Sequence, residues 1–311
     1  MALLKLVVQT PLFVLGGGSV VVGLDAFYKD GRLYLIDVTS PALLKRFKVD
    51  DPHTLFKSVL EEAGRNPGTY AYASYPSPVV QTNAEVKLGV VPPASTIKGV
   101  LRTAYLRMLL EDRAIAETFV NAVREALDAH QHPKFMAKRG EEAVFRRQFG
   151  RRSMDIFHLV TVREVEARAR LKVYRVEVRG SAGKQFYAVG VEPGSVLTYK
   201  VAVSPLVDER GERQWLVREE ELRRALDLFS DELALFERRR GVEVPQCRGF
   251  RLGYGAGRRW KTVLAFIERA DPKLYQAIVE YMTNRLRRPW GDRTVKVADG
   301  KPVGWVCHEW S

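Results

Sequence analysis

Apolar residues recur at helical spacing just after Pro92-Pro93. Ile97, Val100, Leu101, Ala104, Tyr105, Met108 and Leu109 follow an i, i+3, i+4 pattern. This predicts a helix over residues 95–112 with one buried face, followed by a second over 114–130. Pro92-Pro93 blocks a helix upstream and presets an extended entry. Ser95 or Thr96 is the expected cap for the first free backbone N–H groups. Elsewhere the period shortens. Residues 3–15 are rich in Val, Leu and Phe and predict a buried strand, and Gly16-Gly17-Gly18-Ser19 a loop. Residues 20–28 and 32–36 predict a hairpin around Asp30-Gly31. Ser40-Pro41 and Asp51-Pro52 each open a helix. The second has Leu55, Phe56, Val59 and Leu60 on its apolar face and Gly64 at its end. Residues 65–92, rich in Pro, Ser, Tyr and Asn, predict loops and short strands in an exposed excursion.

Residues 131–155 are strongly basic, with Lys134, Lys138, Arg139, Arg146, Arg147, Arg151 and Arg152. They read as a connector or as a helix with a solvated charged face. The pattern then changes to strand-like runs at 159–165, 171–178, 186–191 and 196–203. Gly180-Ser181-Ala182-Gly183 and Pro193-Gly194 are turns between three of them. The change sets a domain boundary, giving units 1–153 and 154–311. A helix is predicted over 218–240, a glycine loop entering a helix at 253–262, and a last helix from Asp271-Pro272. The chain ends in an apolar piece, Val303-Gly304-Trp305-Val306. No repeat with a period of 20–50 residues is present.

Composition narrows the class. With 46% hydrophobic and 28% charged residues, the 311-residue chain is a folded protein rather than a disordered one. Gln9-Thr10-Pro11 and Gly16-Gly17-Gly18 interrupt the apolar start, so it does not read as a signal peptide. No segment reaches the roughly 20 apolar residues of a membrane span, and a cytoplasmic protein is expected. Four Asn and eight Gln against 50 Lys+Arg lean towards a heat-adapted source. The net charge of +13 suits a polyanion. Cys247 and Cys307 are the only cysteines, which excludes a disulfide-dense scaffold and a four-cysteine zinc site. His53, His130, His132, His158 and His308 are scattered, so no metal and no cofactor is expected.

Three groups can carry chemistry. At the start of the 95–112 helix, Ser95 and Thr96 offer N–H groups and hydroxyls, and Lys98 and Arg102 lie one turn apart. Such a helix end suits a phosphate; it is also what an ordinary capped amphipathic helix looks like. In the second group, Gly253, Gly255 and Gly257 open the backbone to phosphate oxygens. Arg258, Arg259 and Lys261 add charge, and Tyr254 and Trp260 offer faces for bases. The alternative is a tight turn before a helix. The spacing is neither a dinucleotide fingerprint nor a Walker loop. The third is Asp25, which either closes a turn or orients a hydroxyl or a metal. No nucleophile elbow or zinc-helix motif appears.

In combination the motifs resemble the RAMP superfamily of CRISPR-associated proteins. Thr10-Pro11-Leu12 before Gly16-Gly17-Gly18 resembles that family's "TPL-x-hydrophobic-GsG" opening. Residues 93–102, from Pro93 through Lys98-Gly99 to Arg102, resemble its "PGSSIKGALR" segment. Residues 250–257 resemble its late glycine loop, and Pro302-Val303-Gly304-Trp305-Val306 its "PLGWV" ending. Within the superfamily, Asp30-Gly31-Arg32-Leu33-Tyr34-Leu35-Ile36-Asp37 and Glu192-Pro193-Gly194-Ser195-Val196-Leu197 are similar to the Csm-type fifth subunit of type III-A effectors. Ala94 stands where glycine is usual, and Arg152 where an acid is.

The resemblance implies an α+β fold of ferredoxin-like (RRM-like) βαββαβ cores with helical and loop insertions. It implies a non-catalytic subunit that binds the 3′ part of the guide crRNA and caps the backbone filament. The implied partners are guide crRNA, target RNA and the adjacent backbone RAMP subunit, with no membrane. The RNA-binding residues expected are Gly16, Gly17, Gly18, Ser19, Ser95, Thr96, Lys98, Arg102, Gly253, Gly255, Gly257, Arg258, Arg259 and Lys261. Two alternatives stand beside this reading: a metal-dependent endoribonuclease of the backbone type using Asp25, and a basic protein docking acidic partners.

Overall fold

The computed structural model describes residues 1–47, 51–132, 135–149, 152–180, 183–207, 211–287, 289–292 and 294–311. Lys134, Arg151, Ser181 and Ala182 of the basic stretch and the turn lie outside them. Strand β1 (Ala2–Val8) alternates, with Leu4, Leu6 and Val8 buried. The predicted strand over 3–15 is in fact two strands, because β2 (Val14–Val21) starts afresh after a break. Pro11 has no N–H to give a ladder, and the Thr10 hydroxyl turns aside to accept the Trp305 N–H at 2.9 Å. Gly16, Gly17 and Gly18 lie inside β2, not in a loop. Strand β3 (Ala26–Lys29) and strand β4 (Arg32–Ile36) form the expected hairpin. Asp30 and Gly31 both have positive φ, as a two-residue primed turn requires.

Helix α1 (Pro41–Leu44) and helix α2 (Pro52–Arg65) begin where predicted, and the Asp51 carboxylate accepts the Thr54 N–H at 2.7 Å. Helix α2 runs one residue past Gly64, to Arg65, and the Phe27 ring packs close to where a Gly64 side chain would begin. Of the expected apolar face Val59 is buried and Leu55 and Leu60 pack beside it, joined by Ala63, while Phe56 is 46% exposed. Helix α3 (Pro67–Tyr70) leads to β5 (Ala71–Pro76), which pairs with β4, and then to β6 (Glu85–Val90). Helices α4 (Ala94–Leu109) and α5 (Arg113–Asp128) follow the apolar period. The basic stretch folds as α6 (Met136–Phe145) and a pair of strands, β7 (Arg146–Phe149) and β8 (Arg152–Asp155).

The four strand-like runs become β9 (Val160–Arg168), β10 (Leu171–Arg179), β11 (Gln185–Val191) and β12 (Val196–Val203). A short pair follows, β13 (Leu206–Val207) with β14 (Arg213–Gln214). Helix α7 (Glu219–Arg239) precedes β15 (Gly249–Arg251). Helix α8 (Leu264–Ala270) and helix α9 (Pro272–Leu286) come next, the latter capped by Asp271. Strands β16 (Val295–Ala298), β17 (Lys301–Pro302) and β18 (Trp305–Trp310) end the chain.

Among the described residues two large sheets carry the fold. One has the order β15-β18-β1-β12-β9, and the other β17-β16-β10-β11-β6-β2. Their pairings are antiparallel except β11 with β6. Strand β6 therefore lies inside a sheet, not in an exposed excursion. Both sheets cross residue 153: β1 finds its partners only in β12 and β18, and β6 sits between β2 and β11. The fold is α+β, as expected. Its main core joins Leu4 and Leu6 of β1 to Leu101 and Tyr105 of α4, Leu226 and Phe229 of α7, and Trp305. Cys247 and Cys307 form a disulfide, with Cα atoms 5.8 Å apart, that ties the approach to β15 onto β18. Among the described residues no helix is long and apolar enough to cross a membrane.

Candidate nucleic-acid interface

Helix α4 does not use Ser95 or Thr96 as its cap. It begins one residue earlier, with Pro93 at the cap position. The Thr96 N–H bonds the Pro93 carbonyl, and the Ala94 N–H donates to the Glu164 carboxylate of β9 at 3.0 Å. A carboxylate already satisfies part of the positive helix end, because the first N–H groups have no partner within the helix. On the next turn Lys98 is half-buried. Burial and the neighbouring Arg102 charge pull its ammonium below the usual lysine range, against the pull of Asp155. Arg102 is anchored. It pairs with Asp155 at 2.8 Å and Glu141 at 3.1 Å, and its guanidinium lies 4.1 Å from the Phe145 ring centroid.

The first glycine run forms a bulge in β2. Leu15 faces Gly89 and Ser19 faces Lys87, so two residues more run on β2 than on β6 between those pairs. Gly18 takes φ +83° there.

The late glycine loop is held from beneath. Its Tyr254 N–H donates to the Phe13 carbonyl at 2.6 Å. At Gly253, with φ +79°, a Cβ would sit 2.2 Å from that same oxygen, so only glycine fits. Arg258 and Arg259 are part of the loop's footing. Arg258 bonds Asp292 at 2.9 Å and lies 3.7 Å over the Trp290 ring. Arg259 is buried against Asp292 at 2.7 Å, Glu268 at 2.6 Å and the Tyr275 hydroxyl at 3.1 Å. A buried guanidinium persists only with such partners. Trp260, read as a face for bases, is 2% exposed, and its indole N–H donates to Glu237 at 3.1 Å. Lys261 lies at the surface in a concavity. Desolvation there lowers its pKa, and no carboxylate pairs with it among the described residues.

Three segments far apart in the chain meet at one cleft of about 540 Å³. Leu15, next to the first glycine run, forms one side. Thr96, Gly99 and Arg102 of α4 form a second, and Gly253, Tyr254 and Lys261 a third. Gly99 is exposed, with nothing near the place of its missing side chain. Ser95 and Lys98 share the helix end but do not line the cleft. Gly255, Gly257, Arg258 and Arg259 face a second cleft of about 830 Å³ on the other flank of Tyr254, together with Lys184 and Lys296. Sequence reasoning missed these two lysines, which lie in or beside short strands and belong to no motif.

Asp25 sits apart. Its carboxylate accepts the Val21 N–H, and its backbone N–H returns to the Val21 carbonyl, closing the turn between β2 and β3.

Two large sheets, with α4 and the glycine loop converging on one cleft, make this an α+β protein. Its fold is similar to that of solved Csm chains. A chain of a Csm–crRNA–target RNA ternary complex from a type III-A CRISPR-Cas system superposes with a TM-score of 0.69 at 19% identity, over 99% of this chain and 100% of that one. T. onnurineus Csm5 gives 0.56 at 18% identity, over 97% of this chain and 99% of the other. No model of a known protein family and no curated protein matches the sequence.

Proposed function

We propose that this protein is a non-catalytic, RNA-binding subunit of a type III CRISPR effector complex in the cytoplasm. It holds the 3′ part of a guide crRNA, to which target RNA pairs, and caps a filament of backbone RAMP subunits. The observation that carries this reading is the cleft where Lys261, a cation with no carboxylate partner among the described residues, meets the exposed backbone of Gly99 and the glycine loop at Gly253. An ammonium without a carboxylate, beside main chain that lets an oxygen come close, favours a phosphate. Nearly full-length likeness to a chain of a Csm–crRNA–target RNA complex supports the same assignment. Little base reading is needed, because pairing by the guide reads the target. Asp25 is engaged in its turn, which favours a structural role for it.

The test uses Lys98 and Lys261, since removing Arg102 would also unpair Asp155 and Glu141. Guide RNA binding is measured over a salt series for wild type and the Lys98→Ala/Lys261→Ala variant, with the fold checked by circular dichroism. Weaker binding is expected, with the log–log salt slope reduced by about 0.7 for each phosphate that is no longer neutralised. Unchanged affinity in a folded variant overturns the reading. In the reconstituted complex with magnesium, Asp25→Ala is expected to leave the target cleavage pattern as it is.

A further inference from the structure

We infer that Phe186 and Tyr254, flanked by Lys87 and Lys296, form a stacking platform for unpaired nucleobases of an RNA strand. This rests on the RNA reading above and adds base contacts to the phosphate contacts proposed there.

The platform is built from the sheet upward. Strand β11 is an interior strand, between β10 and β6. Phe186 and Ala188 share one face of it, and Lys87 of β6 stands opposite Ala188 in the register. Below them Phe13 is buried edge-on to Tyr174, its ring centroid 5.6 Å away. Gly190 leaves the space that the Phe13 ring fills, since a Cβ there would lie 2.5 Å from it. Above that floor Phe186 and Tyr254 remain half-exposed, 5.8 Å apart and nearly perpendicular.

Each ring carries a lysine. The Lys87 ammonium is 5.6 Å from the Phe186 centroid, and the Lys296 ammonium 5.1 Å from that of Tyr254. Among the described residues no carboxylate pairs with either one. Burial, together with the Arg251 and Lys261 charges, holds Lys296 below the usual lysine range, so an anion beside it relieves both costs. The long lysine stems allow both heads to leave the rings for a phosphate while a base takes the apolar face.

Position makes this a path rather than an isolated patch. Tyr254 walls both clefts, and Leu15 lines the first while packing on the same buried cluster as Phe186 and Tyr254. A strand leaving Lys261 crosses Tyr254 to reach Lys296 and Lys184.

The test compares short single-stranded RNA with an abasic strand of the same length, using full-length wild type, Phe186→Leu and Tyr254→Leu. Leucine keeps apolar volume under the loop but removes the flat ring. The expected result is about tenfold weaker binding of intact RNA by each variant, with binding of the abasic strand unchanged. A 2-aminopurine in the strand is expected to be quenched by wild type and less by the variants. Equal binding of intact RNA by wild type and variants overturns the platform and leaves the phosphate cleft standing. Equal losses on intact and abasic strands also overturn it, because they place the effect on fold or charge. Failure of wild type to bind either strand overturns the underlying RNA reading itself.

Discussion

Arg251 and Glu237 are each almost wholly buried and pair at 3.0 Å under the glycine loop. The guanidinium also donates to the Val303 and Gly255 carbonyls. Burial still pulls Arg251 below the usual arginine range, against the Glu237 charge. Removing one member leaves a buried charge without its partner, so Glu237→Gln is expected to cost on the order of 3–5 kcal/mol in urea unfolding. Asp155 gives a pH signature. Burial alone would raise its carboxyl, but bonds from Arg102 and the Phe157 N–H hold it below its ordinary 3.8. A lowered carboxyl stabilises the fold above that ordinary value, and the gain is lost as pH falls through the folded value. Asp155→Asn is therefore expected to be less stable than wild type at neutral pH. The gap should narrow below 3.8, read from denaturant midpoints across pH. Little of this was legible in the sequence. Arg258 and Arg259 look like free cations beside glycines, and their partners Asp292, Glu268 and Tyr275 come from later segments that no local pattern connects to them.

At the scale of elements, legibility follows how local the cause is. Helix α4 is readable because its apolar period lies within its own residues, and the Asp30-Gly31 hairpin because its turn needs only two of them. The glycine run of β2 reads as a loop because a bulge and a loop ask for the same residue, and only pairing with β6 tells them apart. The start of α4 points to the wrong cap because Glu164 arrives from β9. Gly99 separates stability from binding. It sits inside α4 with open space around it, so Gly99→Ala is expected to raise stability by about 0.5–1 kcal/mol. The same methyl covers backbone at the cleft wall, so affinity for guide RNA is expected to fall. Paired thermal melts and binding curves read both effects, and a variant that is more stable and binds equally well would remove Gly99 from the interface.

For the whole molecule, the change of pattern near residue 153 marks a change in secondary structure that the strand pairing does not follow. Strand β1 is apolar at every position but Lys5, and only the folded topology shows that its partners lie at β12 and β18. Expressed apart, fragments 1–153 and 154–311 are each expected to lack a cooperative thermal transition, because the cut removes β1 from the middle of one sheet and separates β6 and β2 from the rest of the other. Mixed, they are expected to regain one; a sharp transition in either alone would contradict this. The bond between Cys247 and Cys307 has a different consequence. It closes a covalent ring that contains the glycine loop, α8 and α9. Trypsin cutting once within that ring, for instance after exposed Arg287, yields two pieces that still migrate as one molecule until a reductant is added. The segment that grips the loop's arginines can thus be nicked without being shed.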